Sequence, residues 1–391
     1  MQELAAKDGP SARPVYALSI HADYRCHQSG VCCTSDWDVP VELPLYRSLS
    51  HALASGAVRP AAEPHNGDPI LLTGDDLPDE AAAMVARTAA GDCVFYHRGS
   101  GLCVVHRDAG QEQLPATCQH FPRLAVRDGR GTSITLTHYC PTAAAMLFRE
   151  DVALEIVGAP AAFPPAAYEG LVITPEDWPP LLHPRMLMDL AGYSAWERHM
   201  VACCARDGIS PESILATLDR DARQLRRYSR ATGSIADAVA GLPQTIVRAD
   251  PHDGLDASLV VYADLLKAVP ADMMPEPDEV GLELAYANGV AGQWHEWRLP
   301  LTRFLAAKAF ASWTAYQGRG VLTIVRGLDA ALGLVRVEAA RQVRNAGRVL
   351  DGDLLREAFR QTDFLLNHLA AGDELAEGWS RVEEESNPNS Q

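Results

Sequence analysis

The stretch Tyr24-Arg-Cys26-His-Gln-Ser-Gly30-Val-Cys32-Cys33 sets the character of the first part of the chain. Seven of the nine cysteines lie between positions 26 and 140. Thiolates are soft ligands that suit zinc, copper(I) and iron–sulfur clusters. Gly30 allows the backbone to turn beside a ligand, and Pro141, directly after Cys140, fixes the exit of the chain as proline does in cluster-binding runs. The sequence therefore predicts a multi-cysteine metal site, held by thiolates, within residues 26–140.

All seven of these cysteines are candidate metal ligands: Cys26, Cys32, Cys33, Cys93, Cys103, Cys118 and Cys140. A tetrahedral centre needs four converging ligands, so seven thiols leave either spare cysteines or a second metal. Cys32 and Cys33 would point to opposite sides of an extended chain, so they serve two centres or only one of them binds. The spacing matches neither paired C-x2-C zinc ligands nor the ferredoxin run. The metal therefore stays open between zinc and iron.

Four other residues lie close to these cysteines in the sequence. His106 and His120 are candidate ligands, with surface histidines as the alternative. Arg123 is a candidate cofactor-binding residue because its charge would offset that of a thiolate cluster, with a structural arginine as the alternative. Trp37 either covers the site as an apolar lid or belongs to the core.

Length and charge limit the possible partners. A chain of 391 residues corresponds to two or three domains at roughly 150 residues each. The net charge of −17 argues against nucleic acid and against anionic lipid, because both are bound mainly by Lys and Arg. We find no apolar stretch of about 18 residues and no secretory leader. We therefore expect a cytoplasmic protein without a membrane span, in which the cysteines stay reduced.

The cysteine distribution predicts the domain organisation. We expect a cysteine-cluster metal-binding module over 14–150, a Pro-rich connector over 151–182, a helical domain over 183–382 and a disordered tail over 383–391. The remaining cysteines, Cys203 and Cys204, lie in the helical run WERHMVACCARDG and are expected to pack in the core as small hydrophobes. The predicted fold class is mainly α: an irregular cysteine-rich module with few short strands, plus a C-terminal multi-helix body.

Local signals predict individual elements. Residues 24–48 are expected to be loop and short extended pieces, 78–90 a helix followed by Gly91, and 133–137 a strand. Further helices are predicted from Pro141, from Ser210 as N-cap, and over 257–269, 301–316 and 321–345. The last helix carries an apolar stripe made of Leu355, Phe359, Thr362, Leu366 and Leu369.

Four stretches resemble the cysteine-cluster family of zinc- or iron-chelating proteins known as YkgJ-type. They are Cys32-Cys33 followed by Trp37; Cys93 with Gly101-Leu-Cys103; Leu114-Pro-Ala-Thr-Cys118-Gln-His-Phe-Pro-Arg123; and Ser133-Ile-Thr-Leu-Thr-His-Tyr-Cys140-Pro141. Within that family the chain is most similar to the flagellin lysine-N-methylase branch. The resemblance implies a cysteine-held cluster, expected to be [4Fe–4S], and methyl transfer from S-adenosylmethionine to lysines of a protein.

Two main hypotheses follow. The first is a cluster-dependent enzyme, lysine N-methylase-like or redox, with the seven cysteines as the ligand pool and a protein as a candidate substrate. The alternative is a structural zinc module on a helical protein-binding scaffold, in which a closed four-cysteine site contributes folding energy and no chemistry. Metal storage by thiolates is a third option. The sequence lacks G-x-G-x-x-G after a strand, a P-loop, H-E-x-x-H and G-x-S-x-G, which argues against the enzyme classes that those motifs mark.

Overall fold

The computed structural model describes residues 13–35, 37–71, 81–163, 179–250, 254–269, 279–317 and 319–385. Helices dominate these residues, which confirms the mainly α class. The strands are β1 (Val15–Leu18), β2 (Pro40–Glu42), β3 (Ile70–Leu71), β4 (Ala81–Val85), β5 (Tyr96–His97), β6 (Leu102–Cys103), β7 (Arg123–Asp128), β8 (Gly131–Leu136), β9 (Ile156–Gly158), β10 (Leu181–His183) and β11 (Met186–Leu187).

Both parts of the chain contain helices, and most of the helices lie after residue 188. They are α1 (Leu43–Ala54), α2 (Val104–Ala109), α3 (Ala116–His120), α4 (Pro141–Met146), α5 (Leu190–Cys204), α6 (Pro211–Leu225), α7 (Ile235–Ala240), α8 (Asp256–Leu266), α9 (Glu279–Gly289), α10 (Arg298–Ala309), α11 (Thr314–Gln317), α12 (Val321–Ala346), α13 (Gly352–Phe364) and α14 (Gly372–Glu385). None of the helices in these ranges is both long and apolar enough to cross a membrane.

Most of the strands form small sheets in the first part of the chain, and β10 pairs with β11 further along. The largest has the order β7-β8-β1-β9, in which β1 runs parallel to β8 and the other neighbours are antiparallel. A second sheet has the order β2-β4-β3, and β5 pairs with β6 in a hairpin. The strand predicted at 133–137 is confirmed as β8.

Two local predictions in the first part are wrong. The helix expected over 78–90 is absent from its described residues: 81–85 form strand β4 and 86–90 hold only an isolated bridge and a turn, while 78–80 lie outside the described residues. Strands β2 and β3 pair with β4 from both sides, so the sheet outweighs the helix propensity of its alanines. Helix α1 begins inside the segment expected to be loop, with Pro44 in its first turn and Leu49 buried.

The helical body is organised around α12, which is 26 residues long and packs against α6, α8, α9 and α13. The predicted N-cap is confirmed, because the Ser210 hydroxyl accepts a hydrogen bond of 3.2 Å from the Ser213 N–H. The prediction of one continuous helix over 301–316 is wrong, because the helix breaks. Helix α10 ends at Ala309, and Ala311 adopts a left-handed backbone with φ of 54°. The buried Glu197 carboxylate accepts the Ala311 N–H at 3.2 Å and fixes this break.

Helix α13 joins the helical body to the cysteine-bearing part. Three residues of the predicted apolar stripe, Leu355, Phe359 and Thr362, are fully buried on α13. The other two, Leu366 and Leu369, lie in the π-helical turn that follows, where Leu366 is buried and Leu369 partly buried. Helix α13 packs against α4, which begins at Pro141 as predicted. Helix α14 was not predicted, and it reaches Glu385 within the segment expected to be a disordered tail. Residues 386–391, and residues 164–178 of the predicted connector, lie outside the described ranges.

Two hydrophobic clusters matter for the site. The larger one fills the helical body and also takes in Leu18 and Leu147 from the first part of the chain. A smaller cluster lies under β2, β4 and α1 and includes Val41. Cys93 and Cys103 pack against this smaller cluster. A small core of this kind stabilises its surroundings weakly, so a metal centre there would add folding energy.

Candidate metal centre

Cys32 and Cys33 lie on a tight turn and not on extended chain. Residues Val31–Cys33 form a 3-10 helix that begins after Gly30, whose φ is 75°. A Cβ at position 30 would overlap the hydroxyl of Tyr96, so the turn requires glycine. The two sulfurs are 3.9 Å apart. The expectation that they point to opposite sides is therefore wrong, because the turn brings both thiols to one side.

Two backbone links place Cys93 and Cys103 beside this turn. The Cys93 N–H donates a hydrogen bond of 2.7 Å to the carbonyl oxygen of Cys33. Cys103 pairs with Tyr96 in the β5–β6 hairpin and precedes α2 as its N-cap. Burial raises the pKa of the Cys103 thiol, and the backbone N–H groups of His106 and Val105 partly oppose this shift by favouring the thiolate.

Cys118 on α3 completes a group of four mutually interacting thiols, Cys32, Cys93, Cys103 and Cys118, called the cysteine quartet below. Burial raises the pKa of Cys93 to about 11 and is also the largest cause that raises the pKa of Cys118. By its overall accessibility, Cys118 is an exposed residue. In each of the six pairs within the quartet, the charge of one thiolate raises the pKa of the other. The four sulfurs therefore lie near one another.

Arg87 is the residue that sequence reasoning missed. Both terminal nitrogens of its guanidinium, Nη1 and Nη2, are buried and have no hydrogen-bond acceptor among the described residues. Its backbone forms a bridge with Cys93. A hydrogen bond with Cys33 is the first cause that lowers the pKa of Cys32, and the Arg87 charge lowers it further. A buried guanidinium without an acceptor is costly, so this position fits an anionic group such as a metal held by four thiolates.

Cys26 and Cys140 form a second, smaller group with Tyr24. The Tyr24 hydroxyl lies 3.6 Å from the Cys140 sulfur. Burial is the first cause that raises the pKa of Cys140, and a charge on the exposed Cys26 raises it further. The structure thus separates the seven predicted ligands into the quartet with Cys33 on one side and Cys26 with Cys140 on the other.

Arg123 contacts Tyr24 of the second group and the backbone that follows Cys118. Its Nη1 donates to the carbonyl oxygens of Gln119 and His120 at 3.3 and 3.4 Å. Its guanidinium lies 5.8 Å from the centre of the Tyr24 ring and 5.4 Å from that of Phe163. Its donors therefore already have partners in the protein, and its assignment as a cofactor-binding residue stays a prediction.

Trp37 belongs to an aromatic group that connects the cysteine-bearing part to the helical body. Its ring centre lies 5.3 Å from that of Phe121, 5.6 Å from that of Tyr139 and 4.8 Å from that of His368. Tyr139 also stacks on Phe364 of α13 at 4.8 Å. Of the two candidate histidine ligands, His106 is exposed and His120 is partly buried. Burial lowers the pKa of His120, and the charge of Arg123 adds to this effect.

A buried cluster of charges lies where β8 meets α10 and α13. Asp363 Oδ2 accepts hydrogen bonds from the backbone N–H of His138 at 2.6 Å and from its Nδ1 at 3.0 Å. Lys308 Nζ lies 2.5 Å from Asp363 Oδ1. Burial alone would raise the pKa of Asp363, but Lys308 and His138 outweigh it and hold that pKa well below its usual range. No sequence motif marked this cluster.

Comparisons with known proteins found no relative: no family model matches the chain, and no curated protein or solved structure matches it. The resemblance to the cysteine-cluster family therefore rests on the quoted motifs alone and stays a prediction.

Proposed function

We propose that the protein is an iron–sulfur enzyme whose centre is held by the cysteine quartet. The observation that carries this proposal is the convergence of four thiols beside the buried Arg87 guanidinium, which has no acceptor among the described residues. Four thiolates around a metal give the anionic group that such a cation needs. Cys33 is the fifth thiol at this site, 3.9 Å from the sulfur of Cys32, and it stays a candidate ligand.

The choice of an iron–sulfur cluster over a single zinc ion rests on the family resemblance. Four thiolates suit either centre. A multi-atom cluster spans a wider set of thiolates than one ion does. When bound, such a cluster supplies iron that binds a cofactor or exchanges an electron.

The reaction class that we propose is methyl transfer from S-adenosylmethionine to a lysine of a protein, which rests on the family resemblance. One feature of the structure supports it. Trp37 and Phe121 follow Cys33 and Cys118 by four and three residues, and both are only partly buried. Their rings contact each other, with ring centres 5.3 Å apart. Aromatic faces attract ammonium and sulfonium cations, the charge types of the two reactants.

The first test is the metal and acid-labile sulfide content of anaerobically purified protein, with its visible spectrum. We expect about four irons and four sulfides per chain in the wild type. Cys118→Ser should lose the iron, whereas Cys26→Ser, at an exposed cysteine outside the quartet, should keep it. Zinc without sulfide would support the structural zinc module and overturn the iron–sulfur assignment. Equal iron in both variants would overturn the choice of the quartet.

The second test addresses methyl transfer. S-adenosylmethionine added to the iron-loaded protein should change the visible or electron paramagnetic resonance spectrum of the cluster. S-adenosylhomocysteine, which lacks the transferable methyl group, serves as the control ligand for S-adenosylmethionine. A protein that holds its full cluster and shows neither binding nor a spectral change would rule out this reaction class and leave a redox role.

A further inference from the structure

Helices α5 and α6 bring three different metal-ligating side chains together in the helical body. His199 and Cys203 are one turn apart on α5, so both project from the same face of that helix. Asp221 projects from α6, which packs against α5. Cys203 and Asp221 are 1% and 0% exposed. The His199 side chain keeps an exposed fraction of 11%, which leaves a path from solvent to the group.

The ligand atoms of these residues converge. His199 Nε2 lies 2.8 Å from Asp221 Oδ2 and 3.6 Å from Cys203 Sγ. All three ligand atoms lie within 4.8 Å of one another. A tetrahedral ion with bonds of about 2.0 to 2.3 Å holds its ligands about 3.3 to 3.8 Å apart. Binding therefore needs only a small separation of the imidazole and the carboxylate, which the two side chains can supply.

Neighbouring groups hold two of the ligands in position. The buried Trp196 ring stacks on the His199 imidazole, with ring centres 5.6 Å apart. Arg220 Nε donates to Asp221 Oδ1 at 2.8 Å, so the other carboxylate oxygen, Oδ2, faces the imidazole. Outer contacts of this kind fix the orientation of ligands in protein metal sites.

We infer that His199, Cys203 and Asp221 form a site for one divalent cation of the zinc class, separate from the cysteine quartet. One imidazole nitrogen, one thiolate and one carboxylate oxygen match the ligand preferences of zinc. The two anionic ligands balance a charge of +2. Three protein ligands leave a fourth position for water or another molecule, which is the arrangement found in catalytic zinc sites.

A metal-free ion-pair network is the competing explanation for the same contacts. Asp221 would then link His199 and Arg220 across the helix pair, and Cys203 would be an ordinary core residue. The two explanations differ at Cys203. A soft metal gains a strong ligand in the Cys203 sulfur, which lies 3.6 Å from the imidazole nitrogen.

The test is a cobalt(II) titration of the full-length protein, purified with the N-terminal cysteines intact. Cobalt bound to a thiolate in a tetrahedral site absorbs strongly in the near-ultraviolet and visible ranges. We compare the wild type with Cys203→Ser, which keeps the side-chain volume but removes the soft ligand. The matched control is Cys204→Ala, at the neighbouring buried cysteine, which is 2% exposed. Circular dichroism checks that each variant is folded.

We expect Cys203→Ser to bind one cobalt less per chain, or to bind it at least about tenfold more weakly. Cys204→Ala should behave as the wild type does. Equal cobalt absorption in wild type and Cys203→Ser would overturn the site, as would loss of the same absorption in Cys204→Ala. Because all three proteins share the same quartet, the difference between them does not depend on which metal the quartet holds.

Discussion

Two of the places where the described residues bury positive charge beside titratable groups differ in their balance of charge. In the helical body, Lys308 pairs with Asp363, which also accepts two hydrogen bonds from His138. Beside the cysteine quartet, the terminal nitrogens of Arg87 have no acceptor among the described residues. Buried charges persist only when something compensates them. In the first place the buried lysine is paired with a carboxylate, whereas we propose that the buried arginine of the second place is paired with a thiolate-bound metal.

The largest effect on stability is expected at the Lys308–Asp363 pair in the helical body. Asp363→Ala would leave Lys308 and His138 buried without their acceptor, which costs about 3 to 5 kcal/mol in the free energy of unfolding. Urea denaturation followed by circular dichroism measures this loss. Asp353→Ala is the control, because Asp353 begins the same helix and has a side chain that is 74% exposed. That substitution should cost less than about 1 kcal/mol, and equal losses would show that Asp363 does not balance the buried lysine.

Beside the cysteine quartet, removing the buried charge of Arg87 should have opposite effects with and without the metal. With metal bound, Arg87→Met removes the compensating cation, and we expect the metal affinity to fall about 10- to 100-fold. Without metal, the same substitution removes an unpaired buried charge, so the apoprotein should be as stable as the wild type or more stable. Metal competition with a chelator measures the affinity, and urea denaturation of the apoprotein measures the stability.

Arg123→Met is the matched control for Arg87→Met, because Arg123 was the arginine predicted to bind the cofactor. Its guanidinium donates to backbone carbonyl oxygens and lies against aromatic rings. We expect the metal affinity of this variant to stay within about twofold of the wild type. If Arg123→Met weakens metal binding and Arg87→Met does not, the sequence-based assignment is right and our assignment of Arg87 is wrong.

The sequence predicted the structural features that depend on residues close together along the chain. The Ser210 cap and the stripe on α13 are local patterns, and the structure confirms both. The density of cysteines likewise marked the pool of candidate ligands. Arg87 could not be chosen, because its segment favours a helix by composition and becomes strand only through pairing with β2 and β3. His138 and Asp363 are 225 positions apart, so only the fold brings them together.

The smallest predicted effect concerns His368, which lies between Trp37 and the Asp363–Lys308 pair. Its ring contacts Trp37 of the cysteine-bearing part, and it also senses the charges of Asp363 and Lys308. Burial is the first cause that lowers its pKa, to about 4. The unfolded chain, with a histidine pKa of about 6.5, binds this proton more readily than the folded protein does. Folding stability should therefore fall as the pH decreases from about 6.5 to about 4.

His368→Gln should remove this part of the pH dependence, because glutamine does not titrate. Urea midpoints at pH 7 and pH 4.5 measure the effect, and the wild type should lose more stability than the variant over that interval. His106→Gln, at an exposed histidine of α2, is the control and should follow the wild type. Identical pH profiles for all three proteins would mean that His368 is protonated equally in the folded and unfolded states.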